Sequence, residues 1–356
     1  LYLSTKFDRL LIIDSVNLIA NAYKSIFLVY KSKISGYIDM STVSHLEIPD
    51  ILTDVLSTVK LTGKIFCCSE LSAPWAMDIP QSNFAHFHVV ERGGGWLKIK
   101  DSDQATSLAT GDLVIVTTGS GHIISDSLAT IPVKLDELLK HKKPSCNQIE
   151  YGGGGIKTHL ICGSFYFNNF LSNPLLKVLP PLIHLRSSQE KMADWLESTL
   201  KMLAYEASNF KPGNQTILTK LIDIIFIQAI RSWLEQNPQS IGWLTALSDE
   251  QIASAIGKMH QEPAKNWNVN NLATQVGMSR SLFAAKFTSL VGKPPLSYLT
   301  DWRMYLATIE LREKNSSVSQ TAFKVGYESE AAFSKAFKRH FGFPPSTYKK
   351  NANTQP

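Results

Sequence analysis

The sequence predicts a multidomain α+β protein: a β-barrel-like N-terminal half, a helical linker hairpin, and a C-terminal all-α double helix-turn-helix. Three observations predict it. Between residues 61 and 165, short runs of β-branched and aromatic residues alternate with Gly, Asp and Ser turns, the pattern of a β-sandwich or small barrel. From about Ser188 the apolar spacing changes to three and four residues, which is a helix stripe. Finally, FAAKFTSLVGKPPLSY (283–298) returns fifty residues later as FSKAFKRHFGFPPSTY (333–348).

At 356 residues the chain is long enough for two or more cores. It begins at Leu1, whereas MSTVSHLEIPDILTDVL from Met40 reads as a more ordinary start. Residues 1–39 are therefore expected to be a non-native extension, with the first domain at 40–186. Its strands are expected at GKIFCCSEL (63–71), FAHFHVVE (84–91), GWLKI (95–99) and DLVIVTT (112–118), with YGGGG (151–155) as a turn. The hairpin is expected at 187–240. Its first helix carries Met192, Trp195, Leu196, Thr199, Leu200 and Leu203 on one stripe, and KPGN (211–214) is the turn. The second helix, about 215–236, is apolar round most of its circumference and must be covered on several sides. Packing within the chain and packing against a second copy would both do this, the second giving a homodimer. Ser248, with Gln251 three residues on, is expected to cap the first helix of a domain at 248–352.

Within that domain, a helix at about 270–276 stops at Gly277, and Ser279 starts another. In the second copy, Val318–Val325 stops at Gly326, and Ser329 starts the next. A short helix, a turn with Gly and a second helix form a helix-turn-helix. The pairs up to Gly277/Gly326 are 49 apart and those from Phe283/Phe333 onward are 50 apart, so the one inserted residue falls at the turn. Within a helix it would rotate the buried face by about 100°.

Wound at 100° per residue, Phe283, Phe287, Leu290 and Val291 share one face, as do Phe333, Phe337, His340 and Phe341. The opposite faces carry Ser281, Ala285, Thr288 and Ser289 flanked by Ala284, and Ala331, Lys335, Lys338 and Arg339 flanked by Ser334. Small and basic side chains suit a major groove, the former allowing close approach and the latter reaching phosphates or guanine. The helix between the units, about 295–315, would act as a rigid spacer.

Charge supports a polyanionic partner. Residues 240–356 hold 14 basic and 8 acidic residues, while the rest balances at 22 of each, so the whole net charge of +6 sits around the repeat. The cysteines Cys67, Cys68, Cys146 and Cys162 form no Cys-x-x-Cys and suit a reducing cytoplasm. The vicinal Cys67–Cys68 pair is a redox candidate, with buried structural thiols as the alternative. The most apolar stretch, ILTKLIDIIFIQAIRSWL (217–234), is broken by Lys220, Asp223, Gln228 and Arg231. It falls short of the roughly 20 clean apolar residues of a membrane span, so a cytoplasmic protein without a membrane partner is expected.

The repeat, with LATQVGMSRSLFAAKFTSLVGKPPLSYLTDWRMYLA and GYESEAAFSKAFKRHFGFPPSTY, resembles the DNA-binding domain of the AraC/XylS family of bacterial transcription regulators. The resemblance implies two helix-turn-helix units on one connecting helix, with the second helix of each unit in the major groove of double-stranded DNA. By position, Ser281, Ala284, Ala285, Glu330, Ala331, Ser334 and Lys335 would face bases, and Arg280, Lys286, Lys338 and Arg339 would face phosphates. Many relatives carry a long polar residue where Ala285 stands, so the first helix is expected to read little guanine. HFHVVERGGGWLKI and GDLVIVTTGSGH are similar to the two motifs of a cupin barrel. The implied architecture is an N-terminal cupin-like β-barrel, the hairpin, and the double helix-turn-helix.

His86 and His88 alternate onto one strand face and His122 would join them, a candidate Zn, Cu or Fe site. A metal-free pocket of hydrogen-bonded histidines is the alternative, and the sequence requires no cofactor. The expected function is sequence-specific regulation of transcription initiation, as an activator or a repressor with RNA polymerase as a partner, in response to a ligand, metal or oxidant of unknown identity sensed by the barrel. The alternative is a cupin metal-dependent enzyme with an appended DNA-binding module.

Overall fold

A computed structural model describes residues 50–141, 148–187, 193–209, 211–238, 240, 242–312 and 316–352. The expected extension 1–39, Met40, Cys146, Ser188 and Met192 lie outside them. Helix α1 (Ile51–Val59) is opened by Asp50, whose carboxylate accepts from Thr53 N. Among the described residues eleven strands follow: β1 (Thr62–Ser72), β2 (Ala76–Ile79), β3 (Ala85–Arg92), β4 (Gly94–Ile99), β5 (Ala105–Ala109), β6 (Leu113–Val116), β7 (His122–Ser125), β8 (Val133–Lys134), β9 (Gln148–Gly152), β10 (Lys157–Tyr166) and β11 (Leu182–Leu185).

The strands make two sheets, β11-β6-β3-β10-β1-β9 and β5-β4-β7-β2-β8. The cupin-like domain is thus two apposed sheets with open edges, not one closed ring of hydrogen bonds. Leu71, Val114 and Leu160 of the larger sheet pack with Met77, Leu97 and Ile124 of the smaller one in a shared core. Register aligns three strands of the larger sheet so that His88 on β3 opposes Cys162 on β10, which opposes Cys67 on β1. The YGGGG run is not wholly a turn. Tyr151 and Gly152 close β9, which pairs in parallel with β1, and the chain bends only after them.

The hairpin helices are α2 (Ala193–Ser208) and α3 (Asn214–Gln236). α3 covers the outer face of the larger sheet. Its Ile222, Ile225 and Phe226 join Phe87, Ile161 and Phe165 in one core, with the Phe165 and Phe226 rings 4.6 Å apart. The sheet therefore supplies the cover that an apolar helix needs. Contact is close at Gly63, where a Cβ would stand 2.2 Å from Ile222 Cγ2. Gly63 N also donates to Asp223 Oδ1 at 3.0 Å, so the Asp that interrupts the apolar run is a hydrogen-bond partner of the sheet. Gly63→Ala is expected to cost about 1–3 kcal/mol through overpacking, measurable as a lower urea midpoint. An unchanged midpoint would refute this contact.

The C-terminal helices are α4 (Glu250–Gln261), α5 (Val269–Gln275), α6 (Arg280–Val291), α7 (Pro295–Arg312), α8 (Val318–Lys324), α9 (Glu330–Phe341) and α10 (Pro345–Ala352). The cap of α4 is Asp249, not Ser248: the Asp carboxylate, one residue closer to the helix, accepts from Ile252 N. Ser248 Oγ instead donates to Thr245 O, and Gln251 Nε2 to Val276 O. α5 and α8 each begin with a capping box, Asn268–Asn271 and Ser317–Gln320. Gly277 and Gly326 take φ of 68° and 86°, the left-handed turns that separate each helix pair. Ser279 and Ser329 then cap α6 and α9.

Candidate nucleic-acid interface and sensor pocket

Each second helix buries a phenylalanine pair and exposes the other side. In α6, Phe283 and Phe287 are fully buried. Arg280, Ser281, Ala285, Thr288 and Ser289 are exposed, and Ala284 is half-buried. In α9, Phe333 and Phe337 are fully buried. Glu330, Ala331, Lys335, Lys338 and Arg339 are exposed, and Ser334 is half-buried. Lys338 and Arg339 lie in the last turn of α9, where cations also offset the helix dipole.

Two positions differ from the sequence expectation. Lys286 is half-buried, and its Nζ stands 2.6 Å from Asp249 Oδ2. Burial works against the Asp249 carboxylate, but the Lys286 hydrogen bond and backbone donors hold its pKa below the usual value. Lys286 therefore pairs within the domain. Leu282 is 58% exposed beside Ser281. An apolar residue off the buried stripe was the signal that could have found it.

α7 has 18 residues, so it is about 27 Å long. Asp301 on this helix touches both units, with Lys293 Nζ at 2.7 Å and His340 Nδ1 at 3.6 Å. The segment between β10 and β11 seats on the same helix. Asn169 is buried and left-handed, φ 53°, a conformation Asn tolerates better than most residues. Its Nδ2 donates to Thr308 Oγ1 at 3.0 Å, and its Oδ1 accepts from Arg312 at 3.2 Å and from Tyr348 OH at 2.8 Å. One side chain of the N-terminal domain thus grips both α7 and α10. Farther along the segment, Pro174 O accepts from Trp243 Nε1 at 3.1 Å.

A cavity of about 260 Å³ opens between the sheets, lined by Cys67, Met77, Ser82, His86, His88 and Cys162 among others. His122 Nδ1 lies 3.0 Å from the carbonyl of Ser120, which can only accept, so Nδ1 carries a proton. A neutral His122 then accepts at Nε2 from His88 Nε2, 2.8 Å away. That leaves His88 Nδ1 unprotonated, to accept from the Cys162 thiol at 3.1 Å. Burial supports these neutral forms: it lowers the His122 pKa to about 4 and that of His88 well below its usual value. His86 is lowered to about 3, mainly by burial, and its Nε2 lies 2.9 Å from Ser82 Oγ.

The three histidines therefore come together, but their nitrogens serve hydrogen bonds. Two imidazoles on one tetrahedral ion would hold their nitrogens about 3.3 Å apart, wider than this 2.8 Å contact. Among the described residues, no group of three His, Cys, Asp or Glu is placed to hold a metal ion. The donor set as arranged does not fit the expected Zn, Cu or Fe. The Cys67–Cys68 pair is split by the strand: Cys67 faces the inner core, while Cys68 packs toward the helices. Cys67, Cys68 and Cys162 are reduced thiols.

Comparison with known proteins places two family models on the chain, "Cupin" over residues 50–235 and "Helix-turn-helix domain" over 272–351. The chain is 32% identical over 303 residues to an AraC-like transcription regulator of Streptomyces lividans, covering 85% of this chain and 98% of that one. It is 30% identical over 306 residues to the transcriptional regulator AlkR of Acinetobacter baylyi, covering 85% of this chain and all of that one. The DNA-binding domain of AdpA, solved with a target DNA, is 29% identical, with a TM-score of 0.28, covering 28% of this chain and 91% of that one.

Proposed function

The chain belongs to the AraC family of transcription regulators, and from that premise we propose that α6 and α9 read an operator while the inner cavity takes the signal. It is a DNA-binding regulator with a helix-turn-helix domain and an N-terminal cupin domain, not an enzyme. The observation that carries the finer reading is the pair of exposed helix faces joined by α7. At about 27 Å, that helix suits two successive major grooves, which recur every roughly 34 Å.

The two helices make unequal contributions. Lys335, Lys338 and Arg339 on α9 reach phosphates or guanine edges. α6 offers Arg280, Ser281, Ala285 and the exposed Leu282, suited to thymine methyls, while Lys286 stays with Asp249. A signal entering the cavity shifts the balance between two arrangements of the DNA-binding domain, through the segment that carries Asn169. Met202, Tyr205, Ile217 and Ile224 are exposed apolar residues of the hairpin and supply a homodimer contact. Activation proceeds by contact with RNA polymerase in the cytoplasm. Among the described residues, no helix is long and apolar enough to cross a membrane.

Operator binding by Lys335→Ala and Ser281→Ala tests the asymmetry. Lys335→Ala is expected to lose about 1–3 kcal/mol and, if the contact is to phosphate, to reduce the salt slope by about one. Ser281→Ala should lose clearly less. A larger loss from Ser281→Ala overturns the assignment, and genome-wide binding that is salt-sensitive but blind to sequence overturns the whole reading.

A further inference from the structure

We propose that Cys67 and Cys162 form a disulfide when the chain meets a small two-electron oxidant of the peroxide class, and that this bond is the event the cavity reports to the DNA-binding domain. The proposal rests on the reading of the chain as a regulator with a sensing cavity, and it names what is sensed.

Position makes the bond feasible. The two residues oppose each other on antiparallel strands β1 and β10. Opposed Cα atoms on such strands are about 4.5–5.5 Å apart, inside the roughly 4.4–6.8 Å that a disulfide spans. Both side chains belong to the inner core and line the same cavity. The strand register shifts between Ile65 and Cys67, an irregularity beside Cys67 that lets the strand adjust. Cys68 faces the other way and takes no part.

The Cys67 sulfur and burial push the Cys162 thiol up, so its proton needs an acceptor close by. A buried thiol needs only apolar contacts, yet Cys162 donates to an unprotonated ring nitrogen of His88. The cavity, at about 260 Å³, has room for a peroxide beside the sulfur. In the first step, the Cys162 sulfur attacks one peroxide oxygen while its proton is relayed by way of His88 Nδ1 toward the departing oxygen, so that His88, held neutral by burial, keeps no added proton. An S–O bond forms as the O–O bond breaks, and the departing oxygen takes the relayed proton to leave as water. In the second step, Cys67 sulfur displaces the hydroxyl of the Cys162 sulfenic acid. The S–S bond forms, and the hydroxyl leaves as a second water with the Cys67 proton. Two thiols lose two hydrogens and two electrons, and one peroxide becomes two waters.

The route to DNA follows the chain. Cys162 lies on β10, which ends at Tyr166, and Asn169 follows three residues later with its contacts to α7 and α10. Tying β10 to β1 at Cys162 changes how that strand end is held.

The test treats the reduced full chain with hydrogen peroxide, alkylates it under denaturing conditions and maps the peptides by mass. The expected product is a Cys67–Cys162 link that dithiothreitol removes. Operator affinity is expected to shift by about fivefold or more between the two states, to stop shifting in Cys67→Ser and Cys162→Ser, and to shift as before in Cys68→Ser. Oxidation confined to Cys68 or Cys146, or a shift that persists in both serine variants, overturns the proposal. Should those variants misfold, absence of the link in the unaltered chain is decisive by itself. Sequence-specific binding that ignores a mapped link sinks only this inference, whereas a chain without specific DNA binding in either state sinks the regulatory reading beneath it.

Discussion

Phe337→Ala is expected to melt the second helix-turn-helix unit while the rest of the chain stays folded. Phe337 is fully buried, and its core is small and separate, made with Met304, Ala307, Leu311, Ala322, Val325 and Phe333. Truncating a buried phenylalanine costs about 3–5 kcal/mol, a large fraction of what so small a unit can hold in reserve. The first unit is built differently: Phe283 and Phe287 belong to the large core that continues through α3 into the sheet. Phe287→Ala should therefore weaken the whole chain, and Phe337→Ala only its end. Hydrogen exchange distinguishes them, with protection lost across residues 316–352 in Phe337→Ala and retained in β3 and β10. Operator binding should fall toward the level for unrelated DNA, because Lys335, Lys338 and Arg339 all ride on α9. Protection lost in one step over the entire chain would show that the second core is not independent.

How much of this was legible in the sequence depends on the range of each signal. The repeat was readable because its punctuation is local: Gly277 and Gly326 at the turns, Ser279 and Ser329 at the caps, and phenylalanines four apart. The central strand β10 was harder, because it lies between the second sheet on one side and α3 on the other. It is buried for most of its length and shows no alternation to read. The fate of Cys67 and Cys68 was half legible. Strand alternation alone puts neighbours on opposite faces, but the partner of Cys67 stands 95 residues away and is found only through register. The ion pair of Lys286 was hidden for the same reason, since Asp249 is remote in sequence and arrives beside it only when α4 packs on α6. Nothing local marks Asn169, whose role consists of three partners on two distant helices.

Asn169→Ala is expected to disconnect the cavity from DNA binding. The substitution removes all three side-chain hydrogen bonds of Asn169 and leaves Thr308, Arg312 and Tyr348 without that partner. The cost is about 1–3 kcal/mol in all, since Arg312 is exposed and Thr308 keeps its bond to Tyr305 O, and it loosens the hold of the N-terminal domain on α7 and α10. Stability alone would not establish a coupling role, so the measurement is a double-mutant cycle on operator affinity. His88→Ala perturbs the cavity by removing the acceptor of the Cys162 thiol and the donor to His122. In the otherwise unaltered chain it should change operator affinity by an allosteric coupling of about 1–3 kcal/mol. In the Asn169→Ala background the same substitution should change it little, because the contact that transmits the change is gone. Equal effects in both backgrounds would mean that the signal bypasses Asn169. Another contact of the segment, Pro174 O with Trp243 Nε1, would then be the next route to break. Non-additivity confined to the pair His88 and Asn169, and absent for Gly63→Ala with Asn169→Ala, would separate transmission from general loosening of the fold.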